Sequence, residues 1–314
     1  MVLLHYYHIY GGVITDRYSP RKLMSSALFL TALGGLVLAS YPSYQTLQIL
    51  YGYWGFTSVF LFWGAMIKAT RLWGGDNNQG KAFGFLDGGR GIVAASMGSI
   101  GVFVFTIVLT NDIESASVLE RQEAFRYVIL LSSFMVAFIG LLVLIFLRNM
   151  EDKNTNFELP LNTLTNIKGV LKNESIWLLM LIIMCAYVGY KVTDIYSLYA
   201  SEVMLYDQIE AAEVGALQLY LRPIVCIAIG LLADRTKNMF WIIFGFITML
   251  IGALIFSFGI IKPDMNFIFF LSLVILAVGT YSIRALYFAV LKEANVAFAL
   301  TGTAVGIISV VGYS

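Results

Sequence analysis

The sequence carries little charge for its length. Of its 314 residues, 12% are charged and 59% are hydrophobic, whereas a soluble domain is about 25% charged and about half apolar. The formal net charge is +1, so no acidic or basic surplus indicates a nucleic-acid partner. This composition argues against an ordinary soluble domain and favours a chain that crosses a membrane.

Residue patterns that carry catalysis or bind metals are also absent. The two cysteines, Cys185 and Cys226, lie inside apolar runs, and no spacing supports a disulfide or a metal site. No Gly-x-x-x-x-Gly-Lys-Ser/Thr loop is present, which argues against direct use of ATP. No His-x-x-x-His, Cys-x-x-Cys or Gly-x-Ser-x-Gly pattern is placed for chemistry. We therefore expect no enzyme activity, no cofactor and no bound metal.

Long apolar runs dominate the chain. A helix needs about 20 apolar residues to cross the hydrocarbon core of a bilayer. Ten apolar segments are predicted, at 1–15, 23–41, 46–68, 82–110, 126–147, 176–200, 212–233, 239–261, 266–290 and 297–314. The first and last look too short to span, and the start shows no signal-peptide layout. We expect an all-α polytopic membrane protein, present as a fragment that lacks material at both ends.

A polar stretch at 148–175 divides the chain into two halves. We predict an N-terminal bundle at 1–147, a cytoplasmic linker at 148–175 and a C-terminal bundle at 176–314. The weakly amphipathic run 161–171 is expected to lie partly on the membrane surface. When the loop around Asp16 is placed in the cytoplasm, thirteen Lys and Arg residues fall on the inner side and three on the outer side. This distribution predicts that the signature loops are cytoplasmic, and we expect a protein of the bacterial inner membrane.

The two halves share a charged hairpin. The first copy reads Gly-Val-Ile-Thr-Asp-Arg from Gly12 to Arg17 and continues as Tyr-Ser-Pro-Arg-Lys. The second copy, 218 residues later, reads Gly-Leu-Leu-Ala-Asp-Arg from Gly230 to Arg235. Such a repeat predicts two similar halves in a membrane, which is the architecture of a solute transporter.

The repeat extends beyond the hairpins. A shift of 215 residues places Gly91 of the fourth segment over Gly306 of the tenth. Both segments are rich in small residues, which allow close contact between helices in lipid. We expect these two segments to lie at the seam between the halves.

The first hairpin is similar to the signature that the major facilitator superfamily carries between its second and third helices, Gly-x-x-x-Asp-Arg-x-Gly-Arg-Lys. This chain departs from the signature at Ser19 and Pro20, and its second hairpin resembles the weaker echo between the eighth and ninth helices. The resemblance covers essentially the whole chain, from the end of family helix two through most of helix eleven. It implies two pseudo-symmetric bundles and a secondary active transporter. The family's drug antiporters carry a Gly-Pro pair in helix five, and its absence here argues against drug efflux.

The hairpins also have a physical interpretation. A helix start carries about half a positive charge. On the predicted topology, Asp16 would be attracted to the start of the tenth segment, and Asp234 to the start of the fourth, when the inner side is closed. We predict a conformational latch that includes Gly12, Asp16, Arg17, Arg21, Gly230, Asp234 and Arg235. The alternative is that these charges only set the topology.

Six charged residues fall inside the apolar segments: Arg90, Lys191, Arg222, Arg284, Asp87 and Asp194. A central charge costs about 2.5–3.5 kcal/mol on insertion scales, so these residues should face an aqueous path or one another. Asp87 and Arg90 are three residues apart and share a helix face. Lys191 and Asp194 have the same spacing, whereas Arg222 and Arg284 have no acid within a turn in their own segments.

The surplus of cations predicts an anionic solute such as a sugar phosphate, a sulfonate or a carboxylate, because the planar guanidinium donates two parallel hydrogen bonds. The predicted solute-binding residues are Arg222, Arg284, Lys191 and Arg90. Asp194 is a candidate proton carrier for a symporter, and exchange is the other mode of transport. The alternative for Asp194 is a structural ion pair with Lys191, one turn away. We expect a monomer whose partners are the solute, the lipid bilayer and protons.

Three other functions are compatible with the sequence. The first is a neutral sugar or nucleoside carrier in which every buried cation is structural. The second is a membrane-embedded enzyme that acts on lipid-linked substrates, although a nucleophile or metal cluster is lacking. The third is a transporter-derived sensor that binds a solute without flux.

Overall fold

A computed structural model describes residues 2–109, 116–148 and 163–312. Within these ranges the regular elements are all helical. Seven of the described helices are long and apolar enough to cross a membrane: Pro20–Ala39, Gln79–Val108, Val118–Phe146, Glu174–Glu202, Glu210–Arg235, Asn238–Ser257 and Asn266–Leu286. The prediction of an all-α polytopic membrane protein is confirmed.

The helices follow the apolar segments closely. The first half contains α1 (Val2–Arg17), α2 (Pro20–Ala39), α3 (Tyr44–Gly55), a π-helix (Phe56–Trp63), α4 (Gly64–Gly74), α5 (Gln79–Val108) and α6 (Val118–Phe146). The rest contains α7 (Thr163–Leu171), α8 (Glu174–Val192), α9 (Tyr196–Glu202), α10 (Gln208–Arg235), α11 (Asn238–Ser257), α12 (Asn266–Leu286) and α13 (Thr301–Gly312). Short 3₁₀ turns join α8 to α9 and precede α13.

Local sequence signals fix several helix ends. Ser19 caps α2 by accepting a hydrogen bond from the backbone N–H of Lys22, and Pro20 occupies the first turn, where its missing N–H is not needed. Ser117 and Glu120 form a reciprocal capping box at the start of α6. The third predicted segment is interrupted by the π-helix, so α3 and α4 are each shorter than a membrane span.

The outward side chains are those of a lipid-facing protein. Ile49, Phe134 and Phe267 are all more than two-thirds exposed, which would be unfavourable in water over so large an apolar surface. Of the linker predicted at 148–175, residues 149–162 lie outside the described residues. The amphipathic run corresponds to α7, whose buried side chains include Asn166 and Val170.

The chain forms two compact units that do not follow its midpoint. The first unit contains Met1–Leu72, Ser96–Lys172 and Ala297–Val310. The second contains Trp73–Ala95, Asn173–Val296 and Val311–Ser314. The first part of α5 therefore belongs with the C-terminal half of the sequence, and most of α13 belongs with the N-terminal half.

Candidate functional site: two helix-start contacts and an arginine cluster

The first helix-start contact lies in the first unit, where Asp16 meets the start of α13. Its Oδ1 accepts a hydrogen bond from the backbone N–H of Gly302 at 2.6 Å, and its Oδ2 accepts from the N–H of Thr303 at 2.8 Å. The hydroxyl of Thr303 donates to the same Oδ2 at 2.6 Å. These N–H groups belong to the second and third residues of α13 and have no partner within the helix, so the buried carboxylate satisfies them and meets the positive end of the helix dipole.

Small and basic residues support this contact. A Cβ atom at Gly12 would collide with the carbonyl oxygen of Gly302, so only glycine allows α1 and α13 to come this close. Lys68 donates from Nζ to the carbonyl oxygens of Thr15, at 2.8 Å, and Asp16, at 3.2 Å. It thereby satisfies carbonyl groups at the end of α1.

Arg71 also belongs to this contact. Its side chain is buried and donates from Nη1 to Thr301 Oγ1 at 2.7 Å. The guanidinium carbon lies 4.4 Å from the centre of the Phe298 ring, within range of a cation–π interaction. From sequence alone, Lys68 and Arg71 count only as charges that set the topology. Their spacing of three residues on α4 was the available signal that they share a face.

The second helix-start contact repeats the first within the second unit. Asp234 Oδ1 accepts from the backbone N–H of Gly80 at 2.7 Å, and Oδ2 accepts from the N–H of Lys81 at 2.8 Å. Gly80 and Lys81 are again the second and third residues of their helix, α5. A Cβ atom at Gly230 would collide with the carbonyl oxygen of Gly80, as at Gly12. Asp234 is less buried than Asp16.

The equivalent contacts correct the register of the sequence repeat. Gly12 packs on Gly302 and Gly306, whereas Gly230 packs on Gly80 and Gly84. Gly84, rather than Gly91, is thus the counterpart of Gly306, and the shift of 215 residues for these segments is wrong by seven. Seven residues are about two turns of an α-helix, so the incorrect alignment still matched the same helix face.

The remaining hairpin residues are peripheral. Arg17 is exposed and donates from Nη2 to Thr163 Oγ1 at the start of α7, at 3.1 Å. Arg21 is partly buried in the first turn of α2, and Arg235 is exposed at the end of α10. The two aspartates, rather than these arginines, reach the helix starts.

An arginine cluster in the second unit is formed by residues of α5, α10 and α12. Arg222 donates from Nη2 to Asp87 Oδ1 at 2.8 Å and from Nε to Oδ2 at 3.3 Å, which is the bidentate geometry of a strong guanidinium–carboxylate pair. Arg284 Nε lies 3.6 Å from Asp87 Oδ2, and Arg90 Nη1 lies 3.5 Å from Oδ1. Arg222 is 8% exposed, Arg284 7% and Asp87 4%.

This geometry corrects one premise of the sequence analysis. The spacing along the chain pairs Asp87 with Arg90 alone and gives Arg222 and Arg284 no acid within a turn in their own segments. Asp87 instead serves all three arginines. Among the described residues of the cluster, three guanidinium groups therefore share one carboxylate.

The helix faces explain why the cluster forms. Gly80, Gly84, Asp87 and Gly91 recur at helical spacing on α5, and Arg222, Cys226, Gly230 and Asp234 recur every four residues on α10. Gly84 packs on the backbone of Cys226 and Gly230, and Gly91 packs on the side chains of Arg222 and Pro223. The arginine cluster and the second helix-start contact thus lie on one stripe of α10, about 18 Å apart at 1.5 Å per residue.

Several polar and aromatic groups that the sequence analysis did not assign surround the cluster. The Tyr190 ring covers Arg284, with the guanidinium carbon 3.9 Å from the ring centre. The Cys226 thiol lies 3.5 Å from Asp87 Oδ2. One turn from Arg222, the Tyr281 hydroxyl contacts Gln218, and the buried Gln218 Nε2 has no hydrogen-bond partner in the described part of the chain.

Lys191 and Asp194 lie beside this cluster rather than in it. Lys191 Nζ donates to Asp194 Oδ2 at 3.2 Å, and both side chains are more than half exposed. Lys191 also lies 6.0 Å from the ring centre of Tyr187, whose ring is 6.1 Å from that of Tyr190. The pair is therefore linked to the arginine cluster through two aromatic rings.

Known proteins resemble the chain over nearly its whole length. Inner membrane protein YqcE of Escherichia coli (strain K12) is 26% identical over 312 residues, which cover 96% of this chain and 71% of that protein. Inner membrane protein YihN of the same organism is 24% identical over 311 residues, or 95% of this chain and 70% of that protein.

Solved structures share the fold. The transporter FucP in its outward conformation matches with a TM-score of 0.70 and 15% identity, over 99% of this chain and 80% of that chain. A bacterial homologue of the iron transporter ferroportin, in an outward-facing state, matches with a TM-score of 0.64 and 14% identity, over 99% and 77%. The family described as Major Facilitator Superfamily matches residues 8–314. The chain therefore belongs to the major facilitator superfamily, and it is a membrane transporter rather than an enzyme.

Proposed function

We propose that the protein is a secondary active transporter of a small organic anion, such as a sugar phosphate, a sulfonate or a carboxylate, in the bacterial inner membrane. The observation that carries this proposal is the convergence of Arg222 and Arg284, both more than nine-tenths buried, on a single acid. Two guanidinium groups that already hold one carboxylate can hold the charged group of a solute in the same way.

The charge of the cluster favours an anion over a neutral solute. Three guanidinium groups lie within 3.6 Å of one carboxylate, so several cationic donors converge on one place. Charges are retained inside a membrane protein chiefly where they meet a solute, an ion or each other. The unpartnered Nε2 of Gln218 adds a donor one turn from Arg222, which suits a ligand rich in acceptor oxygens.

The mode of transport that we propose is alternating access, in which the halves at 1–147 and 176–314 rock about the bound solute. Asp16 ties α1 to α13, and Asp234 ties α10 to α5, so each contact joins one half of the sequence to the other. Both contacts must break when the cytoplasmic side opens. We call them the first latch (Asp16 with Gly302 and Thr303) and the second latch (Asp234 with Gly80 and Lys81).

Transport is driven by protons or by exchange of one anion for another. Asp194 is the proton-coupling candidate, since its carboxylate is exposed and its cationic partner Lys191 lies one turn away. Protonation of Asp194 would release Lys191 towards an anion, which would couple the two binding events. The cytoplasmic placement of both latches and the inner-membrane location are part of this proposal; the names of the two relatives support the location.

A second candidate function is a neutral sugar carrier. The bidentate pairing of Arg222 with Asp87 favours it, because a paired arginine can serve to hold α10 against α5. In that case sugar hydroxyls would contact groups such as Gln218 and Tyr190, and the arginines would be structural.

Counterflow into proteoliposomes separates these functions. The panel is inorganic phosphate, glucose 6-phosphate, methanesulfonate, succinate and neutral hexoses, each tested with and without a pH gradient. We expect at least one anion to exchange, with Arg222→Gln and Arg284→Gln reducing uptake by more than about tenfold. Lys262→Gln, which removes an exposed loop cation, should retain wild-type uptake.

Each other result points to a different function. Uptake of a neutral hexose without any anion would replace the proposal with the sugar carrier. Binding of an anion to the purified protein with no counterflow would identify a sensor. Full uptake by Arg222→Gln would remove the arginine cluster from the solute site.

A further inference from the structure

We propose that Asp87 is an internal occupant of the anion site, a carboxylate that the solute displaces from Arg222 and Arg284 and that then remains with Arg90. The inference rests on the anion transport proposed above. It assigns different roles to Asp87 and Arg90, which the spacing along the sequence presents as one local ion pair.

The first argument is geometric. Arg222 holds Asp87 through Nε and Nη2, each directed at a different oxygen, which is how a guanidinium holds a carboxylate or phosphate from solution. The acid lies on α5, whereas the two arginines lie on α10 and α12. An incoming anion that takes the place of Asp87 therefore removes a tie between α5 and the other two helices.

The second argument concerns the charge that is left behind. Displacement would leave the buried Asp87 carboxylate without a counter-charge unless another cation lay close to it. An uncompensated buried charge is strongly unfavourable. Arg90 lies one turn along the same helix, 3.5 Å from Asp87 Oδ1, with 39% of its side chain exposed. After exchange, the solute has Arg222 and Arg284, and Asp87 has Arg90, so neither anion lacks a cation.

The third argument is the construction of the seam between α5 and α10. Gly80 and Gly84 pack directly on the backbone of Gly230 and Cys226, so the two helices approach closely there with no side chain between them. Two polar contacts join α5 to α10 along this stripe: the Asp87–Arg222 ion pair within the helices and the second latch at the start of α5. An anion that replaces Asp87 breaks the Asp87–Arg222 ion pair, so the separation of α5 from α10 depends on the solute.

The experiment compares variants of Asp87 and Arg90 that should act in opposite directions. Asp87→Asn removes the internal competitor, so the affinity for the anion should rise by about tenfold or more. Arg90→Gln removes the alternative partner of Asp87, so the affinity should fall by at least about threefold. Asp76→Asn is the matched control, because it removes an acid that pairs with Lys292 at 3.3 Å elsewhere in the same unit. Calorimetric titration of the purified protein with inorganic phosphate, glucose 6-phosphate, methanesulfonate and succinate gives each affinity.

A chemical probe reports the displacement directly. Since the chain has two cysteines, Cys185→Ala leaves Cys226 as the single thiol, buried beside Asp87. We expect an anion that binds to accelerate alkylation of Cys226 by N-ethylmaleimide. In the Asp87→Asn variant, alkylation should already be fast without the anion. This measurement also tests the proposal with Arg90→Gln alone if Asp87→Asn does not fold, because that variant should suppress the acceleration.

The outcomes separate this inference from the transport function. If an anion binds the wild type but binds Asp87→Asn equally or more weakly, the displacement is wrong and the anion function stands. If the anion protects Cys226 or leaves its alkylation unchanged, the displacement is also wrong. If no anion of the panel binds the wild type or either variant, both proposals are overturned.

Discussion

The Asp16 carboxylate accepts a 2.6 Å hydrogen bond from the backbone N–H of Gly302, 286 residues further along the chain. Asp234 and Gly80 form the same contact at 2.7 Å across 154 residues. The environments differ, because Asp16 is buried and also accepts from the Thr303 hydroxyl, whereas Asp234 is partly exposed and accepts two backbone bonds. The first latch should therefore be the stronger of the two.

Replacement of each latch aspartate by asparagine tests this inequality. Asparagine removes the charge and offers one acceptor oxygen, and hydrogen bonds to charged groups contribute about 1.5–3 kcal/mol each. We expect Asp16→Asn to accelerate hydrogen–deuterium exchange of the amides of Gly302 and Thr303 by at least about tenfold. Asp234→Asn should accelerate exchange at Gly80 and Lys81 by only about threefold. Equal effects, or a larger effect at Asp234, would contradict the ranking.

Thr303→Val isolates the side-chain donor of the first latch. Valine keeps the shape of threonine but removes the hydroxyl that donates to Asp16 Oδ2. Loss of a bond to a charged, buried acceptor should cost about 1.5–3 kcal/mol and lower the melting temperature in detergent by several degrees. Thr106→Val is the control, since that hydroxyl donates only to Val102 of its own helix. If Thr303→Val and the control had the same melting temperature, the Thr303 hydroxyl would not contribute to the stability of the first latch.

Two glycines of α5 provide a matched pair for the seam with α10. A Cβ atom at Gly84 would lie 2.6 Å from the carbonyl oxygen of Cys226, so alanine there must push the two backbones apart. We expect Gly84→Ala to lower the melting temperature and to reduce counterflow by more than about tenfold. A Cβ atom at Gly98 meets nothing within 4 Å, so Gly98→Ala should be neutral or stabilising by up to about 1 kcal/mol. Equal behaviour of the two variants would show that close packing at Gly84 is not required.

Arg71→Lys tests the buried arginine near the start of α13. Lysine keeps the charge but loses the planar group that lies over the Phe298 ring, along with the geometry that reaches Thr301. We expect a destabilisation of about 1–3 kcal/mol, measured as a lower melting temperature of the detergent-solubilised protein. Arg148→Lys, at an exposed position, should melt as the wild type does. A wild-type melting temperature for Arg71→Lys would show that a positive charge alone suffices there.

The helix-start contacts of both aspartates could be predicted from sequence because two constraints coincide. The repeat shows which hairpins are equivalent, and the alternation of spans shows which helix starts share a side with each hairpin. A single buried or boundary acid then has few positive helix ends to meet. The latch function of these contacts remains a prediction until exchange or transport is measured.

The partner of Asp87 could not be predicted by the same reasoning. The spacing rule favours Arg90, three residues away, and that contact exists at 3.5 Å. The shorter bond goes to Arg222, 135 residues away, and depends on glycine-mediated packing of α5 on α10 that no local pattern specifies. A count of unmatched cations based on local spacing therefore missed the acid that serves three of them.

The π-helix is a feature of the fold that the sequence pattern likewise does not predict. Segment 46–68 was predicted as one continuous span, because its apolar content gives no sign of a change in hydrogen-bond register. The structure winds Phe56–Trp63 as a π-helix, next to a 2.8 Å hydrogen bond between the hydroxyls of Thr31 and Thr57. Such wide turns are rare and occur mostly as bulges inside α-helices, and the apolar pattern of the segment is the same with or without one.

Each of the two aspartates contacts a helix start in the other half of the sequence, which bears on how such a chain can arise. Asp16 of the N-terminal half meets a helix start in the C-terminal half, and Asp234 returns the equivalent contact. A single ancestral half would carry one acid and one receptive helix start, and neither could satisfy the other within the same copy. Two identical copies related by a two-fold axis could close both contacts at once, so a half that associates with its own copy would gain both contacts by duplication.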